Sequence, residues 1–259
     1  MSGRFDGKVV LLTGATGGFG KRAAERFHDE GANLVLSDLA ADPGDAFAAL
    51  DPARHVYEGG DIAREETSAR LVALAQDRFG GPDIAFNNAG IAQGFTPLPA
   101  IDSDLAQRIV DIDLMGVFYA MKHQIPAMLE RARATGRGCA ILNTSSLAGV
   151  AGAPQLAIYS AAKHGVVGLT RSAAAEYARK GIRVNALCPA FARTDMVLGG
   201  LRDTSQTMEE GIAHIVRGVP MRRLGEIDEV MEAILFACDP ANGFMTGQTL
   251  TIDGGVSAV

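Results

Sequence analysis

The start of the chain, KVVLLTG (8–14) followed by ATGGFG (15–20), constrains the fold more than any other stretch. A β-branched, apolar run that ends in glycine predicts a buried strand that reaches a turn. The next segment, KRAAERFHDEG (21–31), carries Ala24 and Phe27 at helical spacing and ends in glycine, which predicts a helix. A strand, a glycine-rich turn and a helix in this order predict the first unit of a parallel sheet.

The glycines of this turn have the spacing Gly14-x-x-x-Gly18-x-Gly20. Glycines let the backbone turn sharply and let a pyrophosphate approach the free N–H groups at a helix N-terminus. We expect Gly20 to allow close packing of the helix on the sheet. The alternative is an ordinary connection between a strand and a helix, but the position between these two elements favours a dinucleotide site.

Six further strands alternate with helices along the rest of the chain. The predicted strands are NLVLSD (33–38), HVYEGGDI (55–62), DIAFNNAG (83–90), GRGCAILNTSS (136–146), GIRVNALCPA (181–190) and TLTID (249–253). This alternation predicts an α/β fold: a single-domain, Rossmann-like, doubly wound parallel sheet of about seven strands with helices on both faces. Residues 191–218 contain methionines, glycines and short helical patterns, and we expect them to cover the site.

Asp38 ends the second strand, 18 residues after Gly20. A carboxylate at this position can accept hydrogen bonds from both hydroxyls of an adenosine ribose and would repel a 2′-phosphate. Leu39 follows it, and the turn holds no Arg or Lys before Lys21. No cationic side chain is therefore expected to bind that phosphate. The pattern favours NAD over NADP; the alternative is that Asp38 only caps its loop.

A second motif lies in SSLAGVAGAPQLAIYSAAK (145–163), where Tyr159 and Lys163 are four residues apart on a predicted helix and share a face. A free tyrosine, with a pKa of about 10, is too weak a base at neutral pH, and a neighbouring ammonium stabilises the phenolate. A serine from the preceding strand end, Ser145 or Ser146, could hold a substrate oxygen. The alternative is a chance pair on a solvated helix face.

Composition narrows the function classes. With 259 residues the chain suits one domain, and 24 basic against 30 acidic residues give a net charge of −6, which argues against nucleic acid as a partner. No apolar run approaches 18 residues and MSGRFDGK lacks a signal-peptide core, so we expect a cytoplasmic protein without a membrane partner. The three cysteines and five histidines show no ligand spacing, so no metal site is predicted.

Taken together, these motifs resemble those of the classical short-chain dehydrogenases/reductases (SDRs), in the same order and along essentially the whole chain. The motifs are Thr13-Gly14-x-x-x-Gly18-x-Gly20, Asn87-Asn88-Ala89-Gly90, Tyr159-x-x-x-Lys163 and Asp253-Gly254-Gly255. The resemblance implies that Tyr159 is the general acid/base, that Lys163 assists it and holds the nicotinamide ribose, and that Ser146 binds the substrate oxygen. Ser145 is then structural. It also implies a homo-oligomer, specifically a homotetramer.

Two positions depart from the family pattern. The fourth catalytic residue, usually Asn, falls here on Asp113, where the family's helix break leaves a backbone carbonyl for a water-linked proton path. The family's Pro-Gly after the sixth strand is Pro189-Ala190. The residues expected to bind the cofactor are Gly14, Thr16, Gly18, Phe19, Gly20, Asp38, Leu39, Asp61, Ile62, Asn88, Ala89, Gly90, Tyr159, Lys163, Pro189 and Thr194.

The sequence therefore predicts an NAD-dependent oxidoreductase that interconverts a small or medium-sized secondary alcohol and a ketone. Hydride would pass between the carbinol carbon and the nicotinamide, while the protein supplies placement and electrostatics. One alternative is reduction of a 3-oxoacyl thioester, against which Asp38 argues because biosynthetic reduction usually uses NADPH. A second, from another class, is a catalytically silent NAD-sensing protein, which the intact Tyr159, Lys163 and Ser146 set disfavours.

Overall fold

The computed structural model describes residues 3–202 and 207–259, without the side chains of residues 201 and 202. Seven parallel strands form one sheet: β1 Val9–Thr13, β2 Asn33–Ser37, β3 His55–Tyr57, β4 Ile84–Asn87, β5 Cys139–Thr144, β6 Ile182–Pro189 and β7 Thr249–Ile252. The α-helices are α1 Gly18–Asp29, α2 Glu65–Phe79, α3 Ser103–Val110, α4 Gly116–Thr135, α5 Ala157–Tyr177, α6 Asp195–Arg202, α7 Met208–Val216 and α8 Ile227–Cys238.

The strand order is β3-β2-β1-β4-β5-β6-β7, which confirms the predicted doubly wound α/β fold. The chain builds outward from β1 to β3 and then returns to add β4 on the other side of β1. In such a sheet the carboxyl ends of β1 and β4 diverge and open a crevice where ligands bind. The fold therefore places a binding site after Thr13 and Asn87.

The strands are apolar throughout because helices cover both faces of the sheet. All five residues of β1 are buried. Val10 and Leu12 belong to a cluster shared with α1 and α8, whereas Val9 and Leu11 pack with α2 on the opposite face. Burial on both sides explains the continuous apolar runs, since a half-exposed strand would alternate apolar and polar residues.

The contact between α1 and the sheet depends on Gly20. A methyl group at this position would overlap the carbonyl oxygen of Gly14, so the helix can approach the turn this closely only with glycine. Gly14 itself has a φ of +65° and lies against the backbone of Ala89, so a side chain there would be strained and would clash. The backbone of the turn therefore requires glycine at both positions, and the close helix packing predicted for Gly20 is confirmed.

One strand differs from the sequence expectation. The third strand is only His55–Tyr57 instead of 55–62, and as an edge strand it pairs with β2 alone. Asp61 therefore lies in the loop that follows β3. A π-helical turn, Asp111–Met115, lies between α3 and α4, in agreement with the helix break that the family resemblance implies at Asp113.

The segment expected to cover the site forms α6 and α7, while its residues 203–206 lie outside the described residues. None of the helices that the structure describes is both long and apolar enough to cross a membrane. Cys139, Cys188 and Cys238 are buried and unpaired. Burial raises the thiol pKa of Cys139 to about 11 and that of Cys238 to about 12, so these two thiols stay protonated and act as small apolar groups.

Candidate active site

A cavity of about 670 Å³ opens at the carboxyl ends of the strands. Its walls come from the glycine-rich turn, from the segments that follow β4, β5 and β6, and from α6 and α7. Twelve of the residues expected at the cofactor line it: Gly14, Thr16, Gly18, Phe19, Asp38, Asn88, Ala89, Gly90, Tyr159, Lys163, Pro189 and Thr194. The topology thus collects side chains from most of the chain at one edge of the sheet.

Four residues expected at the cofactor do not line this cavity. Gly20 is buried beneath the turn, and Leu39 is 65% exposed beside it. Asp61 accepts a hydrogen bond from the backbone N–H of Ala63 at 3.0 Å, and Ile62 packs against Gly116 at the start of α4. The loop after β3 therefore stands apart from the cavity wall.

The glycine-rich turn presents an open helix N-terminus. Residue Gly17 caps α1 without any side-chain hydrogen bond, so the first N–H groups of the helix keep no side-chain acceptor. A methyl group at Gly17 would have no neighbour closer than 3.6 Å, and one at Gly18 would meet the side chains of Thr194 at 3.3 Å and Ile227 at 3.6 Å. Free N–H groups, a helix dipole and open space together form an anion-binding geometry.

Asp38 is held at the cavity wall by three hydrogen bonds. Its Oδ2 accepts from the backbone N–H and the hydroxyl of Thr16, at 2.9 and 2.6 Å. Its Oδ1 accepts from the backbone N–H of Leu39 at 2.8 Å. Each carboxylate oxygen can accept further bonds, so the group is fixed in direction and remains able to bind hydroxyls.

The two serines after β5 have different surroundings. Ser145 is buried, and its hydroxyl donates to the backbone carbonyl of Lys163 at 2.9 Å, which joins β5 to α5. Ser146 lines the cavity, and its Oγ accepts from the backbone N–H of Ala148 at 3.2 Å. Because the Ser146 oxygen accepts this bond, its hydroxyl proton can still be donated to a molecule in the cavity. The Ser145 hydroxyl proton is already donated to the Lys163 carbonyl.

Tyr159 and Lys163 lie one turn apart on α5 and share a face. The Lys163 Nζ is 5.5 Å from the centroid of the Tyr159 ring and donates to the backbone carbonyl of Thr144 at 3.1 Å. Only 3% of Lys163 is exposed. The ammonium is therefore desolvated and directed at the phenol by the helix and by the end of β5.

Asp113 completes the surroundings of this ammonium. It is fully buried in the π-helical turn, its Oδ2 is 3.2 Å from the Lys163 Nζ, and its Oδ1 accepts from the backbone N–H of Ile91 at 2.8 Å. Burial alone would lower the pKa of Lys163, but the Asp113 carboxylate and the Tyr159 phenol outweigh it, so the pKa is raised. Lys163 is therefore positively charged, and its charge acts on both the Asp113 carboxylate and the Tyr159 phenol.

Gln93 is a buried cavity residue that no sequence pattern singled out. Its Oε1 accepts from the backbone N–H of Tyr159 at 3.1 Å, and its Nε2 donates to the carbonyl of Gln155 at 3.0 Å. It lies in the loop after β4, where a lone glutamine carries no periodic or motif signal. Phe191, the first residue of the expected covering segment, lines the cavity with a φ of +45°, a conformation that is rare for an aromatic residue and that no sequence pattern indicated.

The wall of the cavity is mainly apolar. Among the described residues that line the whole cavity, only Asp38, Lys163 and Asp195 carry charge. Apolar side chains in the wall come from several loops and helices: Phe95, Leu147, Leu156, Phe191, Met196, Val197, Ile215 and Val256. Such a lining suits an uncharged, largely hydrocarbon molecule whose polar group faces Ser146 and Tyr159.

Sequence comparison finds relatives that cover the whole chain. A family model described as enoyl-(acyl carrier protein) reductase matches residues 14–257. The 2,5-dichloro-2,5-cyclohexadiene-1,4-diol dehydrogenase of Sphingobium indicum is 40% identical, over 98% of each chain. The cis-4-hydroxycyclohexanecarboxylate dehydrogenase of Sinomonas cyclohexanicum is 39% identical, over 100% of each.

Solved structures agree with these matches. Levodione reductase superposes with a TM-score of 0.92 at 31% identity, covering 98% of this chain and 99% of that one. The 3-ketoacyl-(acyl-carrier-protein) reductase of Brucella melitensis complexed with NADH gives a TM-score of 0.87 at 33% identity, with 98% and 99% covered. Full-length relatives, a shared seven-stranded sheet and the motifs at its edge lead to one conclusion: the chain belongs to the short-chain dehydrogenase/reductase family of oxidoreductases.

Proposed function

We propose that the protein is an NAD-dependent dehydrogenase that interconverts a secondary alcohol and a ketone. One observation carries the proposal: Ser146, Tyr159 and Lys163 line the same cavity as the glycine-rich turn and Asp38. A proton carrier and a dinucleotide site in one cavity suit hydride transfer, which needs both. The relatives named as dehydrogenases of ring alcohols support this reaction class.

The residues of the turn fit a dinucleotide. The uncapped start of α1 would hold the pyrophosphate, and Asp38 would accept the hydroxyls of the adenosine ribose. Nothing cationic among the described residues lines this part of the cavity, which disfavours a 2′-phosphate and hence NADP. When bound, the nicotinamide supplies the hydride acceptor or donor.

The chain's own residues then handle the proton. In alcohol oxidation the Tyr159 phenolate accepts the hydroxyl proton, and Ser146 donates a hydrogen bond to the same oxygen. Lys163 stabilises the phenolate through its buried charge. In ketone reduction the proton returns from Tyr159 to the carbonyl oxygen.

The substrate class that fits best is a neutral ring alcohol. Its carbinol would lie at Tyr159 and its hydrocarbon ring against Leu156, Met196 and Val256. A carboxylate on the ring would find Asp195 as the remaining charged residue of the described wall, and a like charge is unfavourable. We therefore place neutral cyclohexanol-type alcohols ahead of their carboxylated analogues.

A panel of alcohols tests this proposal through the formation of NADH. We expect turnover with cyclohexanol and substituted cyclohexanols, and lower kcat/KM with 4-hydroxycyclohexanecarboxylate.

Tyr159→Phe should lower turnover by at least about 100-fold and leave NAD binding within a few-fold, since it removes the proton carrier and keeps the ring. Tyr177→Phe, on the same helix outside the described cavity wall, is the control and should keep full turnover.

Two results would contradict the assignment: no NADH from any alcohol, or near-normal turnover in Tyr159→Phe.

The comparison with an acyl-carrier-protein reductase gives one alternative, reduction of a 3-oxoacyl thioester. Acetoacetyl thioesters of coenzyme A and of a carrier protein belong in the same panel with NADH. The ketones that correspond to the alcohols of the panel are measured with NADH for comparison. A kcat/KM for the thioesters above that for every one of these ketones would establish the alternative instead.

Cofactor choice gives a second prediction. Replacing Asp38 with Ala and Leu39 with Arg should shift the ratio of kcat/KM for NADP to that for NAD upward by about tenfold or more. The double variant removes the repelling carboxylate and adds a guanidinium that can pair with phosphate. Leu39→Arg alone is the control, since it adds the cation but keeps Asp38. An unchanged ratio in the double variant would show that Asp38 does not face the ribose.

Asp113 gives a third prediction, on pH dependence. Its carboxylate contacts the ammonium directly and should cancel part of the field that Lys163 exerts on Tyr159. We therefore expect an active enzyme whose acid limb of kcat/KM for alcohol oxidation, where Tyr159 must lose its proton, lies at higher pH than in Asp113→Asn. Asp111→Asn is the matched control, because Asp111 lies in the same turn but bonds to Gln107 on the surface. Coincident limbs, or a shift to the opposite side, would place Asp113 outside the proton relay.

A homo-oligomer, specifically a homotetramer, stays a prediction, as does a cytoplasmic location. Phe118, Phe236 and Phe244 are exposed on the isolated chain, which supports burial against further copies. Light scattering at micromolar concentration should give four times the mass of the chain. The mass of a single chain would refute the assembly.

A further inference from the structure

We propose that Gln93 is a positioning residue for Tyr159, holding the first turn of α5 against the loop that follows β4. The proposal rests on the catalytic role of Tyr159 proposed above. Gln93 is only 6% exposed, and both ends of its side-chain amide are used. Its Oε1 accepts the Tyr159 backbone N–H at 3.1 Å, and its Nε2 donates to the Gln155 carbonyl at 3.0 Å.

The bond to Tyr159 supplies a missing helix cap. A helix leaves its first N–H groups without intrahelical partners, and a polar side chain at the N-cap usually bonds the second or third of them. Here the N-cap residue is Leu156, which makes no such bond, and Tyr159 is the third residue of α5. Gln93, which lies 66 residues away in sequence, satisfies that N–H instead.

The other bond of Gln93 fixes the approach to the helix. Gln155 has a φ of +65°, an uncommon conformation for a residue with a side chain, and its carbonyl also accepts from the backbone N–H of Thr96 at 2.9 Å. Two donors from one loop therefore hold the strained residue that precedes α5. Without them the start of α5 would be free to relax.

The same loop is tied to the other proton-handling groups. The backbone N–H of Ile91, two residues before Gln93, donates to the carboxylate of Asp113, which contacts Lys163. This short loop thus bonds to Asp113 through Ile91 and to the backbone of Tyr159 through Gln93. The distance between the phenol and the ammonium is set by this segment as well as by the helix.

This geometry predicts a loss of turnover without a matching loss of binding. Gln93→Met keeps the length of the side chain but removes both hydrogen bonds. A displacement of about 1 Å at a reacting group can cost 100-fold in rate. We expect kcat for alcohol oxidation to fall at least about tenfold, while the KM for the alcohol and the Kd for NADH change by less than about threefold.

Thr96→Val is the matched control. It removes the hydroxyl bond of Thr96 to Gly94 in the same loop and leaves the Gln93 amide and the Thr96 N–H in place. Its kcat should stay within about twofold of the wild type. A kcat in Gln93→Met equal to the wild type would overturn the proposal, and so would a rise in KM at unchanged kcat, which would make Gln93 a substrate contact.

A second measurement needs no variant and no turnover. Hydrogen exchange in the unaltered protein should show the Tyr159 amide protected at least tenfold over those of Ala157 and Ile158, for which the described residues offer no acceptor. Equal exchange at all three positions would overturn the proposal even if Gln93→Met fails to fold. An inactive wild type with a protected Tyr159 amide would instead count against the proposed function alone.

Discussion

The buried ammonium of Lys163 is the constraint on which the site depends. A desolvated charge is costly unless it is paired and hydrogen-bonded, and here the partners come from three elements. The Thr144 carbonyl ends β5, Asp113 lies in the turn between α3 and α4, and Tyr159 precedes Lys163 on α5. Stabilising one cation therefore fixes the relative positions of a strand, a helix break and a helix, and the phenol is set in place as a consequence.

The helix break has a specific role in this arrangement. A π-helical turn inserts one residue into the helical repeat and changes the direction of the side chains around it. At Asp111–Met115 it brings Asp113 against both Lys163 and the backbone N–H of Ile91. An asparagine in its place could donate a hydrogen bond, whereas the carboxylate only accepts. Asp113 therefore contacts the Lys163 ammonium as an ionic partner.

Sequence patterns predicted the parts of the structure that depend on local order. Apolar runs and glycines located the strands, the turn before α1 and the close approach at Gly20. The contacts of Gln93 and the left-handed backbone of Phe191 were missed, because they depend on residues far apart in sequence. The length of β3 was wrong for a related reason: an edge strand ends where its single neighbour stops pairing, which its own residues do not specify.

The two sides of the cavity are built in different ways. The wall expected to face the dinucleotide comes from strand ends and one helix start, which the sheet holds rigidly. The apolar wall comes from connections after β4, β5 and β6 and from α6 and α7, which the sheet does not hold. Loops tolerate substitution better than strands, so changes in α6 and α7 can alter this wall without disturbing Tyr159 and Lys163. The connection after β4 is different, because Gln93 in it bonds to the backbone of Tyr159. Gln93 joins the connection after β4 to the helix that carries the phenol, since its amide bonds to the backbone of Tyr159 and Ile91 in the same connection donates to Asp113.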